Sequence, residues 1–476
     1  MRRLVLLLCF LVLAPHVSTA RTWYVKPDGT GDAPTIQAGI DSAAVGDTVM
    51  LADGTYTGDG NRDIIYAGKA VTVLSEGDDP DLCVIDCEGS EAESHRGFEF
   101  QHGDGPGALL RGVTIANGVW FSGAGGGGGI SCLGGSPTLV NLVVLENRAK
   151  VRGGGIDCSD GAAPTLQNVR VVDNVVEKAA GGGVYWEQGC SPALADIIFE
   201  GNSATSAGGA ICGEYYSERT LSNCSFIRNT AGYGGAVAFC CSDCTFEDCH
   251  FVENRAVGTS LGGDGGGALF LLDGAPVIIR CDFKSNSSES RGGAIIAIES
   301  RPTLQSCIFD ANSSVDEGGS ICCDGSECEC NVSNCTFVRN LTTGVSSIAS
   351  GVGCVNYARL SMTNSIIAYS PNGVPVSCGI DSQSDLGCCD LFGNPSGDWV
   401  GFIASQYGIN GNFSACPSFC NAGLGDFQLC DESPCLPGNH PDGYECGLIG
   451  AWGEGCSCGP SQAELTTWGA IKTLFR

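Results

Sequence analysis

The 476-residue chain holds 72 glycines and 30 cysteines, is 43% hydrophobic but only 16% charged, and carries a formal net charge of −29. The apolar content excludes a disordered chain, and glycine without a three-residue period excludes collagen. The acidity excludes nucleic-acid binding, which needs basic surface, and disfavours polyanionic sugars unless calcium or a local basic patch intervenes.

Residues 1–20 read as a secretory signal peptide. Arg2 and Arg3 supply the charged start, residues 4–14 the apolar stretch, and Ser18 and Ala20 the small residues before a cleavage site. That stretch is too short to span a bilayer, and no later segment is apolar enough to do so. The mature chain is expected to be secreted or on the outer cell surface, as a monomer. In that compartment cysteines default to disulfides, and losing Cys9 with the signal leaves an odd number. Residues 21–45 form an N-terminal cap, with a strand over 22–25 and a short helix over 34–44 that places Ile36, Ile40, Ala43 and Ala44 on one face.

Residues 46–377 carry a repeat of roughly 26 residues. A glycine-rich step precedes Ile130, Ile156, Val184, Ile211, Val237, Leu269, Ile295 and Ile321, at intervals of 26, 28, 27, 26, 32, 26 and 26. In phase with it runs Phe-x-x-Asn: Phe199 with Asn202, Phe226 with Asn229, Phe251 with Asn254, Phe283 with Asn286, Phe309 with Asn312, and Phe337 with Asn340. Val144 with Asn147 and Val171 with Asn174 hold the same places upstream. Two residues before each phenylalanine stands Leu142, Val169, Ile197, Cys224, Cys249, Cys281, Cys307 or Cys335.

Cys-x-Phe is a period of two, so both side chains face inward from one strand. Coils stacked about 4.8 Å apart turn each column into a ladder. The asparagines fall where the chain leaves the strand and can satisfy backbone groups of the turn. The pattern predicts an all-β fold, a single right-handed parallel β-helix solenoid with a short N-terminal capping helix. The one interval of 32 is shared by both columns, which assigns the extra residues to a loop at 257–264.

The repeat weakens after Asn364. Residues 378–458 are rich in Cys, Gly and Pro and read as the last coils and a cysteine-rich cap, followed by a tail over 459–476. The pairs around Cys240–Cys244 and Cys322–Cys323 are expected to staple corners. The Cys224 to Cys335 column fits either disulfides or buried thiols packing as small hydrophobes.

Thr35-Ile36-Gln37-Ala38, Gly46-Asp47-Thr48-Val49 and Gly54-Thr55-Tyr56 resemble the opening of pectin-lyase-like β-helix domains. The paired Phe-x-x-Asn and Gly-Gly-Ala-Ile motifs resemble the repeats of chlamydial polymorphic outer-membrane proteins over 127–340. The first resemblance implies polysaccharide lyase or glycoside hydrolase chemistry, the second a surface adhesin. The polygalacturonase signatures Asn-Thr-Asp, Gly-His-Gly and Arg-Ile-Lys are missing, and His16, His95, His102, His250 and His440 form no cluster in the sequence.

The strongest local site is outward-facing, just past two glycine steps: Tyr185, Trp186 and Glu187 on one coil, Glu214, Tyr215 and Tyr216 on the next. Glu187 and Glu214 occupy equivalent places, and carboxyl pairs about 5 Å apart beside aromatic faces suit sugars. No resident metal is required; calcium at the acidic turns 28–32 and 78–81, or at the Gly-Asp run 262–267, is the alternative. The expected function is non-catalytic binding of an extracellular polysaccharide or cell-surface glycan through the solenoid face. An enzyme acting on such a polymer is the second expectation, and a structural surface component the third.

Overall fold

The computed structural model describes residues 20–457, apart from 124, 215–219, 241–242, 259–264, 345–348 and 380. Residues 1–19, Tyr215, Tyr216, residues 259–264 of the inserted loop and the expected tail over 459–476 fall outside the described residues.

Among the described residues the chain winds through three sheets of 24, 9 and 12 strands, and the strand pairings within them are parallel. One coil shows the plan: Thr165–Val172 lies in the first sheet, Val175–Val176 in the second and Val184–Trp186 in the third. Within the first strand Leu166, Val169 and Val171 are buried. The break from alternate spacing is made by Asn168, whose φ of +52° bends the strand and restores the inward phase. The same left-handed bend recurs at Asn223, Asp248, Arg280, Ser306 and Asn334, one residue before each ladder cysteine.

The ladders are built as the spacing predicts. Phenylalanine rings from Phe199 to Phe337 stack with centroids 4.6–5.1 Å apart and planes within 5°. Asn147, Asn174, Asn202, Asn229, Asn254, Asn286, Asn312 and Asn340 are fully buried. Each amide from Asn147 to Asn312 repeats one scheme. Asn254 Nδ2 donates to Asn286 Oδ1 at 2.9 Å and to Phe226 O at 2.8 Å, and its backbone N–H donates to Asn286 Oδ1 at 3.0 Å. A turn that would strand amides in the core is thereby satisfied side chain by side chain.

The glycine step is steric. Gly153 has φ +56°, and a Cβ on Gly154 would sit 2.4 Å from the Gly182 carbonyl of the next coil. In-register pairing of Phe251 with Phe283 and of Leu269 with Ile295 fixes the six extra residues between Ala256 and Leu269.

The cysteine column is a stack of thiols. Cys281 Sγ lies 3.3 Å from Ile279 O and 3.5 Å from Phe246 O, and Cys307 repeats the geometry. Cys389 continues the column, and burial pushes its thiol up to about 12. Cys244, Cys322 and Cys323 are buried without disulfides, against the expectation that they staple corners. Backbone hydrogen bonds already close those corners, and the thiols pack as small apolar groups.

Disulfides join Cys388 to Cys446 and Cys420 to Cys456, both in the C-terminal region. At the N-terminus, helix Ile36–Ser42 starts on Thr35, whose hydroxyl accepts from Ala38 N, and buries Ile36, Gly39 and Ile40. At the other end, the 3-10 helix Gly401–Gln406 sends Ile403 into the core. The cysteine-rich segment then turns back along the flank. Phe413, Phe419, Phe427, Leu429 and Ile449 pack on the outward side chains Ile308, Val338, Ile366 and Ala368.

Candidate functional site

Outward residues of the third sheet stack in register as Glu99, Ser131, Asp157, Tyr185, Cys212, Ala238, Phe270, Ile296 and Cys322. From Ser131 onward the column is buried although it faces away from the core. The turn before each glycine step folds over it: Tyr233 packs on Phe270, and Arg152 on Asp157. The result is a covered groove floor that opens into a cleft at its charged N-terminal end, is apolar from Ala238 to Ile296, and meets the Arg291–Asp324 pair at Cys322.

Of the six predicted residues, the structure describes Tyr185, Trp186, Glu187 and Glu214, and it separates these four. Trp186 is fully buried in the main core, its ring 5.4 Å from that of Phe239. Two residues past inward Val184, it faces inward by the strand period. Gly213 makes the space, since a Cβ there would lie 2.4 Å from Trp186 Nε1. Trp186 therefore presents no face to a ligand, a correction to its predicted role.

Tyr185 lines the groove at 5% exposure, and burial, then its hydrogen bond to Glu214, raises its hydroxyl well above the usual range. Register places Glu187 and Glu214 on adjacent coils, one residue past the Trp186–Gly213 pair. Their carboxylates are drawn to different partners: Glu187 to Arg152 at 2.9 Å and to Asp160 N at 2.7 Å, Glu214 to the Tyr185 hydroxyl.

Upstream the groove carries a constellation that sequence reasoning missed. His95 Nδ1 lies 2.6 Å from Asp63 Oδ2, and Asp63 Oδ1 accepts from Arg96 N at 2.9 Å. Both carboxylate oxygens are thus committed, and Asp63 holds a left-handed φ of +53°. The Arg96 guanidinium, almost fully buried, lies 3.5 Å over the Trp120 ring and 3.6 Å from Glu99. Asp63, Ile65, Ser94, His95, Glu99 and Trp120 line a cleft of about 300 Å³ beside it. The available signal was Gly97-Phe98, the glycine step of the coil before Ile130. It puts His95 and Arg96 in the same turn that carries Arg152 later.

Asp157 links the two parts. Burial pushes its carboxyl up to about 6, against the opposing pull of Arg152 and Arg96. Arg152 Nε stands 3.1 Å from Asp157 Oδ1, yet neither atom forms a well-directed hydrogen bond, nor does Arg96 Nε. Such buried, incompletely satisfied charges cost about 1–3 kcal/mol each, more than an apolar lining would. An imidazole oriented by a carboxylate can move a proton at Nε2, and the tryptophan, carboxylates and serine can hold a polyhydroxylated ligand.

The acidic turns fold on themselves: Asp28 accepts from the Thr30 N–H and hydroxyl, and Asp78 pairs with Arg111. Among the described residues, the only three ligand atoms mutually within 4.8 Å belong to Cys420, Cys430 and Cys456, two of them disulfide-bonded. No helix among those residues is long and apolar enough to cross a membrane.

Three solved structures are similar in architecture. A pectate lyase shares 14% identity at a TM-score of 0.40, over 92% of this chain and 98% of that one. A mannuronic acid-specific polysaccharide family 6 lyase from human gut microbiota shares 11% at 0.40, over 78% and 81%. A family 6 alginate lyase variant shares 12% at 0.39, over 94% and 58%. At these values no residue role carries over. A search of curated protein sequences finds no match. The profile described as "right handed beta helix region" matches residues 128–287 and 217–385, together more than half of the sequence. The chain belongs to the right-handed β-helix family.

Proposed function

We infer that this is an extracellular β-helix protein that binds a neutral glycan in the groove of the third sheet. The observation that carries the reading is the 300 Å³ cleft, where Trp120, braced by Arg96, stands among His95, Asp63, Ser94 and Glu99. Asp63, Glu99, Asp157 and Glu187 outnumber Arg96 and Arg152, so the groove favours uncharged sugars over uronates. Glu187 and the Tyr185–Glu214 pair shape its continuation. A glycan array with the mature protein is expected to retain neutral oligosaccharides, and Trp120→Ala to retain them measurably less. Equal retention by that variant refutes the reading.

A second reading, cleavage of the bound polysaccharide, is favoured by the His95–Asp63 pair. Polymer cleavage that disappears in His95→Gln while binding persists would make the protein an enzyme. Binding without cleavage leaves it a lectin-like protein.

A further inference from the structure

Where the first sheet reaches the end of the solenoid, a second cleft of about 550 Å³ opens. Its floor is three adjacent strands, Glu329–Ser333, Arg359–Thr363 and Gln383–Gly387. Register stacks Glu329, Arg359 and Gln383 in one outward column and Asn331, Ser361 and Asp385 in the next.

The wall is the 3-10 helix Gly401–Gln406, anchored at two points. Ile403 is fully buried in the core. Gln406 clamps the edge strand, its Oε1 accepting from Leu386 N at 2.8 Å and its Nε2 donating to Ser384 O at 2.9 Å. Between these anchors Phe402 is held outward, 59% exposed, over the strands. A large ring left in water on a braced element is a presented surface, not a frayed end.

Several outward charges of the sheet answer one another across coils, as Arg280 does with Glu247 and Asp248, and Arg339 with Asp310. Here Glu329 holds Arg359 at 3.4 Å, but the side chains of Ser361, Gln383 and Asp385 have no hydrogen bond or ion pair among the described residues. The Ser382 hydroxyl, buried at the cleft edge, also lacks a partner. Donors and acceptors arrayed beside an apolar ring match a pyranose, whose CH face stacks while its hydroxyls pair. Two carboxylates against one guanidinium disfavour an acidic sugar.

We propose that this cleft is a second binding site, which takes a neutral saccharide with its CH face on Phe402 and its hydroxyls on Ser361, Gln383 and Asp385. It lies on a different sheet from the Trp120 groove and stands without it.

The test is calorimetric titration of the full mature chain carrying Trp120→Ala with neutral gluco-, xylo- and manno-oligosaccharides. Binding is expected, and adding Phe402→Ala or Asp385→Asn is expected to weaken it roughly tenfold or more with no change in melting temperature. The corresponding uronate oligomer is expected to bind more weakly. Unchanged affinity in both added variants, or no binding of any neutral oligosaccharide to Trp120→Ala, would overturn the proposal, as would a Phe402-dependent peptide ligand without saccharide binding. The groove reading fails by a different result, equal binding by wild type and Trp120→Ala.

Discussion

One face of the third sheet is built twice, in two chemistries. Between Glu99 and Cys212 the outward column holds Glu99, Ser131, Asp157 and Tyr185 under arginines from the overlying turns, while beyond Cys212 it holds Ala238, Phe270 and Ile296. Strand backbone and register are the same in both halves, whereas the turn before Leu269 carries six extra residues. The apolar half shows that the coil needs no charge there: Phe270 and Ile296 simply pack under Tyr233 and its neighbours. The charged half stacks the same backbone at the expense of desolvating Arg96, Arg152 and Asp157. A solenoid that can cover this column with hydrocarbon yet gathers Arg96, Arg152, Glu99, Asp157 and Glu187 beside an open cleft at one end, against the Arg291–Asp324 pair near the other, marks the charged end as the candidate for a role beyond stability.

The comparison can be broken most forcefully in the apolar half. Phe270→Ala is expected to destabilise by about 3–5 kcal/mol, the usual cost of emptying an aromatic site, with glycan binding unchanged. Chemical denaturation and titration of the one variant check both statements. In the charged half, Arg152→Met leaves Glu187 without its cation and Asp157 with Arg96 alone, and should lose about 1–3 kcal/mol at neutral pH. The pair Arg152→Met, Asp157→Leu should recover most of that loss while weakening glycan binding.

The pH response separates the halves further. Asp157 titrates higher in the folded chain, at about 6, than the ordinary carboxylate value of about 4. The folded state holds its proton longer, so this group's contribution to stability falls as pH rises from about 4 to about 6 and is flat above. Asp157→Asn is expected to flatten that segment of the melting-temperature profile, whereas Phe270→Ala should leave its shape intact. The smallest effect belongs to the thiol ladder. Cys281→Ala should cost about 1 kcal/mol, and reductant should change only the C-terminal region that holds the two disulfides, as followed by limited proteolysis.

The solenoid was legible because its ladders repeat in phase, and one Phe-x-x-Asn unit specifies strand, turn and inward face together. The same alternation from Val184 already sends Trp186 inward, and Gly213 one coil later is the vacancy its ring fills. Reading Trp186 as surface ignored that period. Glu187 and Glu214 were placed on neighbouring coils, but no spacing rule reports that Arg152, 35 residues before Glu187, claims one of them. The Asp63–His95 pair lay beyond reach for a related reason: the coils before Gly127 lack the Phe-x-x-Asn marker that sets the register. The folded-back C-terminal segment did leave a trace, since Ile308, Val338, Ile366 and Ala368 are apolar where the preceding coil has Asp282 and Lys284.

The most direct test is hydrogen exchange of the full mature chain with and without a neutral oligosaccharide that it retains, in the Phe402→Ala background so that only the groove reports. Slowed exchange confined to peptides covering residues 94–99 and 119–121 is expected. Slowed exchange over 268–272 and 295–298 instead, or no change at the histidine end, would contradict the assignment of the charged half as the binding site.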